Sequence, residues 1–189
     1  MSRRGKLAVS VDGFFAGPHG EIDWFKAISR DEEYERFTHQ QSKSESTLMF
    51  GRTTYEMMKS YWPTPDAIKN DPNMAAVMNN SPKIVFSKTL KTVEEGPNWE
   101  NVTLVRQIRR DAILEWKRKS DITILGSGSI VQQLANLGLI DEYQLVVVPL
   151  VLGSGKRLFQ DVKKIDLHLQ DSRAFANGIV VVKYTSAGG

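Results

Sequence analysis

Residues 122–137 join two different periodicities with almost no linker, and that joint limits the fold more than any other feature of the chain. Ile122–Leu125 is a short apolar run rich in β-branched residues. Ile130, Val131, Leu134 and Leu137 follow at the spacing of one buried helix face. Gly138 stands where such a helix would stop. Only Gly126-Ser127-Gly128-Ser129 lies between. A strand pattern that feeds directly into a helix pattern is the building unit of α/β folds.

The same layout recurs. Thr47–Phe50 reads as a strand closed by Gly51, with a helix from Thr53 to about Lys59. Lys6–Val11 reads as an opening strand. Ser29-Arg30-Asp31-Glu32 fits a capping box for a helix reaching about Lys43. Tyr61–Pro65 reads as loop and Met74–Met78 as one or two helical turns. Lys83–Phe86 and Val102–Val105 read as strands, and 108–119 as a helix with an imperfect stripe of Ile108, Ala112, Leu114 and Trp116. Tyr143–Leu152 is a long apolar strand pattern. Asp166–Ala176 and Ile179–Thr185 are two more, joined by Asn177-Gly178, a strong hairpin signal. The expected architecture is one α/β domain over residues 1–189, with a mostly parallel mixed sheet and a C-terminal antiparallel hairpin.

Composition removes several classes of function. The chain has no cysteine, which excludes disulfides and thiolate chemistry. His19, His39 and His168 lack any metal-ligand spacing, so no metal is expected. The net charge is only +3 and the basic run Lys117-Arg118-Lys119 ends a predicted helix, where it complements the dipole; a nucleic-acid partner is not expected. The first apolar stretch is broken by Ser10 and Asp12, and no run approaches the roughly 18 apolar residues of a membrane span. A cytoplasmic protein with a small-molecule substrate is expected.

The junctions suggest phosphate. Gly126-Ser-Gly128-Ser-Ile-Val131 departs from the Rossmann fingerprint at its last position. Gly153-Ser-Gly155-Lys156-Arg157 lacks the first glycine and the final Ser/Thr of a P-loop. Yet glycines before a helix N-terminus let a phosphate approach free amides. Phe50-Gly51-Arg52-Thr53-Thr54 adds a guanidinium and two hydroxyls, and Phe86-Ser87-Lys88-Thr89 again sets a hydroxyl and a cation beyond a strand. Each junction alone also reads as a capped turn. Three in one domain point to an extended ligand with several phosphates, such as a dinucleotide.

The motifs taken in order carry a resemblance. They are S-V-D-G-x-x-A-G at 10–17, D-W at 23–24, F-G-R-T-T-Y-E at 50–56, F-S-K at 86–88, L-G-S-G-S-I at 125–130 and D-E-Y…P-L-V-L-G-S-G…L-F at 141–159. Over nearly the whole chain they resemble the dihydrofolate reductase superfamily, in particular the branch with the reductase domain of the bifunctional riboflavin-biosynthesis deaminase–reductase. The resemblance implies a dihydrofolate reductase-like three-layer sandwich and an NADPH cofactor; the apolar strands Gln144–Leu152 and Ile179–Tyr184 exceed what one small sheet edge needs, so a homodimer through that region is expected, as the resemblance also suggests. It implies that Arg52 contacts the adenosine 2′-phosphate, with Ser87 and Lys88 beside it. Thr53 and Thr54, after Gly51, would lie near the pyrophosphate, and Gly126, Ser127, Gly128, Ser129 and Ile130 would cradle it from the other side. Ala8, Ala16 and Gly17 would lie by the nicotinamide.

The chain also departs from that pattern. Ser29 stands where dihydrofolate reductases carry their pterin-binding carboxylate, with Asp31 nearby. His39 matches the riboflavin reductases, but Ser42 and Ser46 replace an arginine and an aspartate. The implied activity is hydride transfer to a C=N or C=O of a small heterocycle, with 5-amino-6-(5-phosphoribosylamino)uracil a candidate substrate. The alternatives are dihydrofolate reductase-like activity, a non-catalytic NADP(H)-binding module, and an interaction protein keeping only the fold. No catalytic residue stands out. Asp12, Asp23 and Trp24 form the candidate substrate pocket, with His39 a further proton-relay candidate. Asp12-Gly13 also reads as a turn, Asp23 as a cap and His39 as a surface helix residue.

Overall fold

The structure is a computed structural model that describes residues 1–24, 28–42 and 46–186. The strands are β1 (Arg3–Ser10), β2 (Phe14–Ala16), β3 (Ser46–Gly51), β4 (Lys83–Phe86), β5 (Val102–Val105), β6 (Asp121–Ile124), β7 (Glu142–Val148), β8 (Lys156–Arg157), β9 (Leu167–Ala174) and β10 (Val180–Ser186). The helices are α1 (Glu32–Ser42), α2 (Arg52–Tyr61), α3 (Pro65–Asn70), α4 (Pro72–Asn80), α5 (Arg110–Lys119) and α6 (Gly128–Asn136).

Eight strands form one sheet in the order β5-β4-β3-β6-β1-β7-β10-β9. The first six are parallel, and β10 runs antiparallel to both β7 and β9. Every residue of β3 is buried, as a central parallel strand covered on both faces requires. Leu7, Val9, Met49, Ile122 and Ile124 face α5 and α6, meeting Ile113, Ile130, Val131 and Leu134. On the other face, Val146, Val148 and Val181 pack against Phe37 of α1, while Leu48, Phe50 and Val85 pack against Tyr55 of α2 and Met78 of α4. The result is the expected three-layer α/β sandwich with a mostly parallel sheet and a C-terminal antiparallel hairpin.

The hairpin turns at Ala176-Asn177-Gly178. Gly178 has φ +84°, and its N–H donates to Phe175 O at 2.9 Å. Gly138, at φ +63°, follows α6, and Leu139 N–H donates back to Leu134 O at 2.9 Å, closing the helix.

Several elements differ from expectation, each for a local reason. The Tyr143–Leu152 pattern gives a strand only to Val148, because Pro149 has no N–H for the ladder. The apolar residues of β7 and β10 are used on both faces of an interior part of the sheet. The capping box at Ser29 does not form: Asp31 caps α1, accepting from Tyr34 N–H at 2.9 Å. The expected helix end at Lys43 lies outside the described residues. Ile113, absent from the expected stripe, is the buried residue of α5. The segment read as loop runs into α3, which starts at Pro65 under a Thr64 cap. Finally, β2 and β8 pair as a small separate ribbon. They are too short to show a period.

Candidate active site

Strands β3 and β6 are neighbours, but α2 leaves β3 toward one face of the sheet and α6 leaves β6 toward the other. A crevice therefore opens beyond their C-terminal ends, where open α/β sheets bind ligands. It forms a cleft of about 470 Å³. Lys6 and Ala8 of β1 form its floor; Thr53, Thr54 and Met57 of α2 and residues 125–129 form two walls. Phe15, Ala16 and Ile22, with Lys156 and Arg157 of β8, form the third.

The two phosphate-type junctions meet here. Gly51 N–H donates to Gly126 O at 2.9 Å. A Cβ on Gly51 would fall on the Ser127 hydroxyl, and one on Gly128 would fall on the Phe15 ring. Gly126 has φ +118° and its peptide bond to Ser127 is cis. These glycines are thus required for loop-to-loop approach. Neither α2 nor α6 has a side-chain cap, whereas Thr64 and Asp71 cap α3 and α4. The first-turn residues Thr53, Thr54, Gly128 and Ser129 line the cleft, so helix-end donors meet there from two sides. Helix α5 also lacks a side-chain cap but borders no part of the cleft.

At the rim, Arg52 Nη1 donates to Thr89 Oγ1 at 2.9 Å, and its Nε lies 3.2 Å from Glu56 Oε1. This brings the third junction beside the first. Ser87 Oγ accepts from Thr89 and Leu90 N–H at 3.2 and 2.9 Å, folding its own loop, and Lys88 is exposed. Arg106 clamps that loop through the carbonyls of Ser87, Leu90 and Lys91.

Of the expected cofactor residues, Ala8, Ala16, Thr53, Thr54, Gly126, Ser127, Gly128 and Ser129 line the cleft together. Gly51 and Ile130 lie immediately behind Ser127, Gly17 turns the loop after β2 through Glu21 O, and Arg52, Ser87 and Lys88 sit outside the lining. The expected substrate residues do not line it. Asp12 accepts from Ser10 Oγ at 2.6 Å, Leu152 N–H at 3.1 Å and Gly153 N–H at 2.8 Å. The Ser10 hydroxyl and these amides hold its carboxyl down at about 2. It pins the β1–β2 turn to the strand-end beyond β7. Trp24 is 9% exposed within the core beneath α1, and Asp23 is exposed. His39 Nε2 lies 2.9 Å from Asp71 Oδ2, joining α1 to the start of α4. Among the described residues, no His/Asp/Glu group is placed to hold a metal ion.

Sequence reasoning missed Lys6. It projects between the cleft and a smaller chamber, and makes no hydrogen bond or ion pair with a described residue. Burial first, then the neighbouring charges of Arg4 and Lys183, pushes its ammonium down to about 8. The available signal was a lysine at the polar start of the first strand, just before the apolar Leu7-Ala8-Val9. Lys156 and Arg157 were also missed. Their segment departs from a P-loop and belongs to the motif at 141–159, and its structural role lies in Gly155, where a Cβ would fall on the Ala16 carbonyl oxygen.

The sequence matches the RibD C-terminal domain over residues 4–181. The chain belongs to that family. RibD C-terminal domains are reductase domains, so this chain is an oxidoreductase in kind. Uncharacterized protein YyaP of Bacillus subtilis strain 168 is 31% identical over 179 residues, covering 94% of this chain and 91% of that one. A putative riboflavin biosynthesis protein from Shewanella sp. PV-4 aligns with a TM-score of 0.76 at 22% identity, covering 98% and 99% of the two chains. A Thermotoga maritima diaminohydroxyphosphoribosylaminopyrimidine deaminase/5-amino-6-(5-phosphoribosylamino)uracil reductase aligns at 0.66 and 15%, covering 98% of this chain and 56% of that one. Enterococcus faecalis dihydrofolate reductase, solved with NADP(H), aligns at 0.60 and 15%, covering 98% and 96%. At these identities the structural likenesses establish the fold. No helix is long and apolar enough to cross a membrane among the described residues.

Proposed function

We propose that the chain is an NADPH-dependent reductase acting on a C=N or C=O of a small heterocycle. The supporting observation is the pair of uncapped helix ends, α2 and α6, that converge on one glycine-lined cleft with a lysine in its floor. Gly51 and Gly128, where a Cβ would collide with Ser127 and Phe15, let the loops approach so closely that both helix ends face one cleft, and this suits a pyrophosphate. NADPH supplies a hydride when bound. The chain's part is to hold and orient it. Amides and hydroxyls of Thr53, Thr54 and Ser129 would hold phosphate oxygens. Arg52 and Lys88 would offer cations at the rim for a 2′-phosphate, and Ala8 and Ala16 would leave room for a flat ring.

No carboxylate lines the cleft among the described residues. This counts against dihydrofolate reductase-like protonation and leaves Lys6 as the titratable group in the floor. Its ammonium would hydrogen-bond the substrate's carbonyl or imine and deliver the proton that balances the hydride. The same missing carboxylate favours, as second reading, a non-catalytic NADP(H)-binding module.

Turnover separates the two. Purified protein with NADPH and a panel of pyrimidines and pterins, starting with 5-amino-6-(5-phosphoribosylamino)uracil, should oxidise NADPH with at least one of them. A protonated Lys6 is required, so kcat/KM should fall as pH rises through about 8. Lys6→Met should abolish that limb and lower kcat by roughly a hundredfold or more. Tight NADPH binding without turnover on any panel member would support the binding module instead.

A further inference from the structure

Below the cleft lies a second chamber of about 70 Å³, sharing Lys6 and Leu125 with it. About 10–15 Å³ of such space holds one water molecule, so the chamber has room for several waters or for part of a ring that continues into the cleft. Its floor is Gln144 of β7, which is 0% exposed. Both the oxygen and the nitrogen of the Gln144 carboxamide are buried without a hydrogen-bond partner among the described residues. Gln144 is the register partner of Lys6 across the β1–β7 ladder, so the two side chains stand side by side on one face of the sheet.

Most other polar groups of the chamber are engaged. Ser46 and Thr123 hydroxyls bond each other at 2.9 Å, Ser42 Oγ donates to Thr38 O, and Arg4 pairs with Glu142. Gln41 remains unengaged but half-buried at the margin. The remaining wall is apolar: Leu48, Met74, Val77, Met78 and Leu125. A buried carboxamide with neither hydrogen bond made is costly, and its donor and acceptor lie beside an ammonium.

We propose that Gln144 is the specificity-determining residue of the substrate site, taking the cis-amide (lactam) edge of a heterocycle whose reacting end lies in the cleft. The amide oxygen of Gln144 accepts the ring N–H. Its NH2 donates to the adjacent ring carbonyl. The apolar walls then cover the ring faces. A ring lacking the N–H leaves the Gln144 oxygen buried and unpaired, which makes such a site reject it strongly. This inference rests on the reductase reading for the location of the reacting end, but binding at the chamber is measured separately.

The test uses 6-aminouracil and its N1,N3-dimethyl derivative as probes, titrated calorimetrically into the protein with and without NADPH. Wild-type protein should bind 6-aminouracil at least about tenfold more tightly than the methylated ring, the worth of one to two hydrogen bonds. Gln144→Leu, close in volume and apolar, should erase that preference while leaving NADPH affinity within about twofold. A wild type that binds neither probe, or does not discriminate between them, overturns the proposal. So does a Gln144→Leu protein that keeps the preference. The wild-type comparison needs no variant to fold. Loss of NADPH binding by wild type would sink the reductase reading, yet leave the probe comparison readable in the cofactor-free protein.

Discussion

Arg52 shows how far single residues could be read. Its place after Gly51, at the start of a helix, makes it a candidate phosphate contact in the sequence, beside the plainer reading of a solvated side chain at a capped turn. The structure adds that its side chain, 49% exposed, is already held toward the third junction by Thr89. A charge-assisted hydrogen bond to phosphate contributes about 1.5–3 kcal/mol. Arg52→Ala should therefore weaken NADPH by roughly ten- to a hundredfold and NADH much less, read by calorimetry; equal losses would remove Arg52 from the 2′-phosphate. Lys6 and Gln144 were not legible in the same way. Lys6 looks like one more cation after Arg3 and Arg4, Gln144 like an isolated polar residue in an apolar strand, and their meeting depends on the register of strands 138 positions apart. Asp12 went the other way: a carboxylate that reads as chemistry proves to be fully engaged by Ser10 and two backbone amides.

At the scale of elements, the long strands and helices were readable because their periods are strong, and Asn177-Gly178 and Gly138 marked their ends by backbone conformation. The two-residue β8 and three-residue β2 have no period to read. Helix α3 is a different case, since Thr64-Pro65 is a cap followed by a proline at the first helical position and could have been recognised. Asp71-Pro72 repeats that signal at α4, where Asp71 accepts from Met74 N–H at 2.9 Å and also meets His39. Asp71→Ala removes both the cap and the tie to α1. It should lower stability by about 1–2 kcal/mol in chemical unfolding without changing NADPH affinity. An unchanged midpoint would mean that neither contact stabilises the fold.

Over the whole molecule, the cleft occupies the C-terminal ends of the strands and a charge cluster locks the opposite end. Asp141 binds the Arg3 guanidinium at 2.5 and 3.0 Å, the Arg3 N–H at 2.8 Å and Lys117 Nζ at 3.0 Å. Burial alone would raise its carboxyl; Arg3 and Lys117 outweigh that and hold it down at about 2. A carboxyl depressed in the folded state stabilises above its unfolded value, near 3.9, and loses that contribution as pH falls through the folded one. Asp141→Asn should cost about 2 kcal/mol at neutral pH. The gap from wild type should close between about pH 4 and pH 2, as urea unfolding at each pH would reveal. A gap that persists at pH 2 would assign the loss to packing.

In the proposed function, two uncapped helix ends, drawn together by Gly51 and Gly126, form an NADPH site. The most direct measurement is a titration of the wild-type protein with NADPH and with NADH, followed through the fluorescence of its four tryptophans. The structure predicts saturable NADPH binding, roughly tenfold or more tighter than NADH, because only NADPH carries the phosphate that Arg52 and Lys88 would meet. Binding of neither nucleotide would contradict the claim and leave the converging helix ends as turns that serve only the fold.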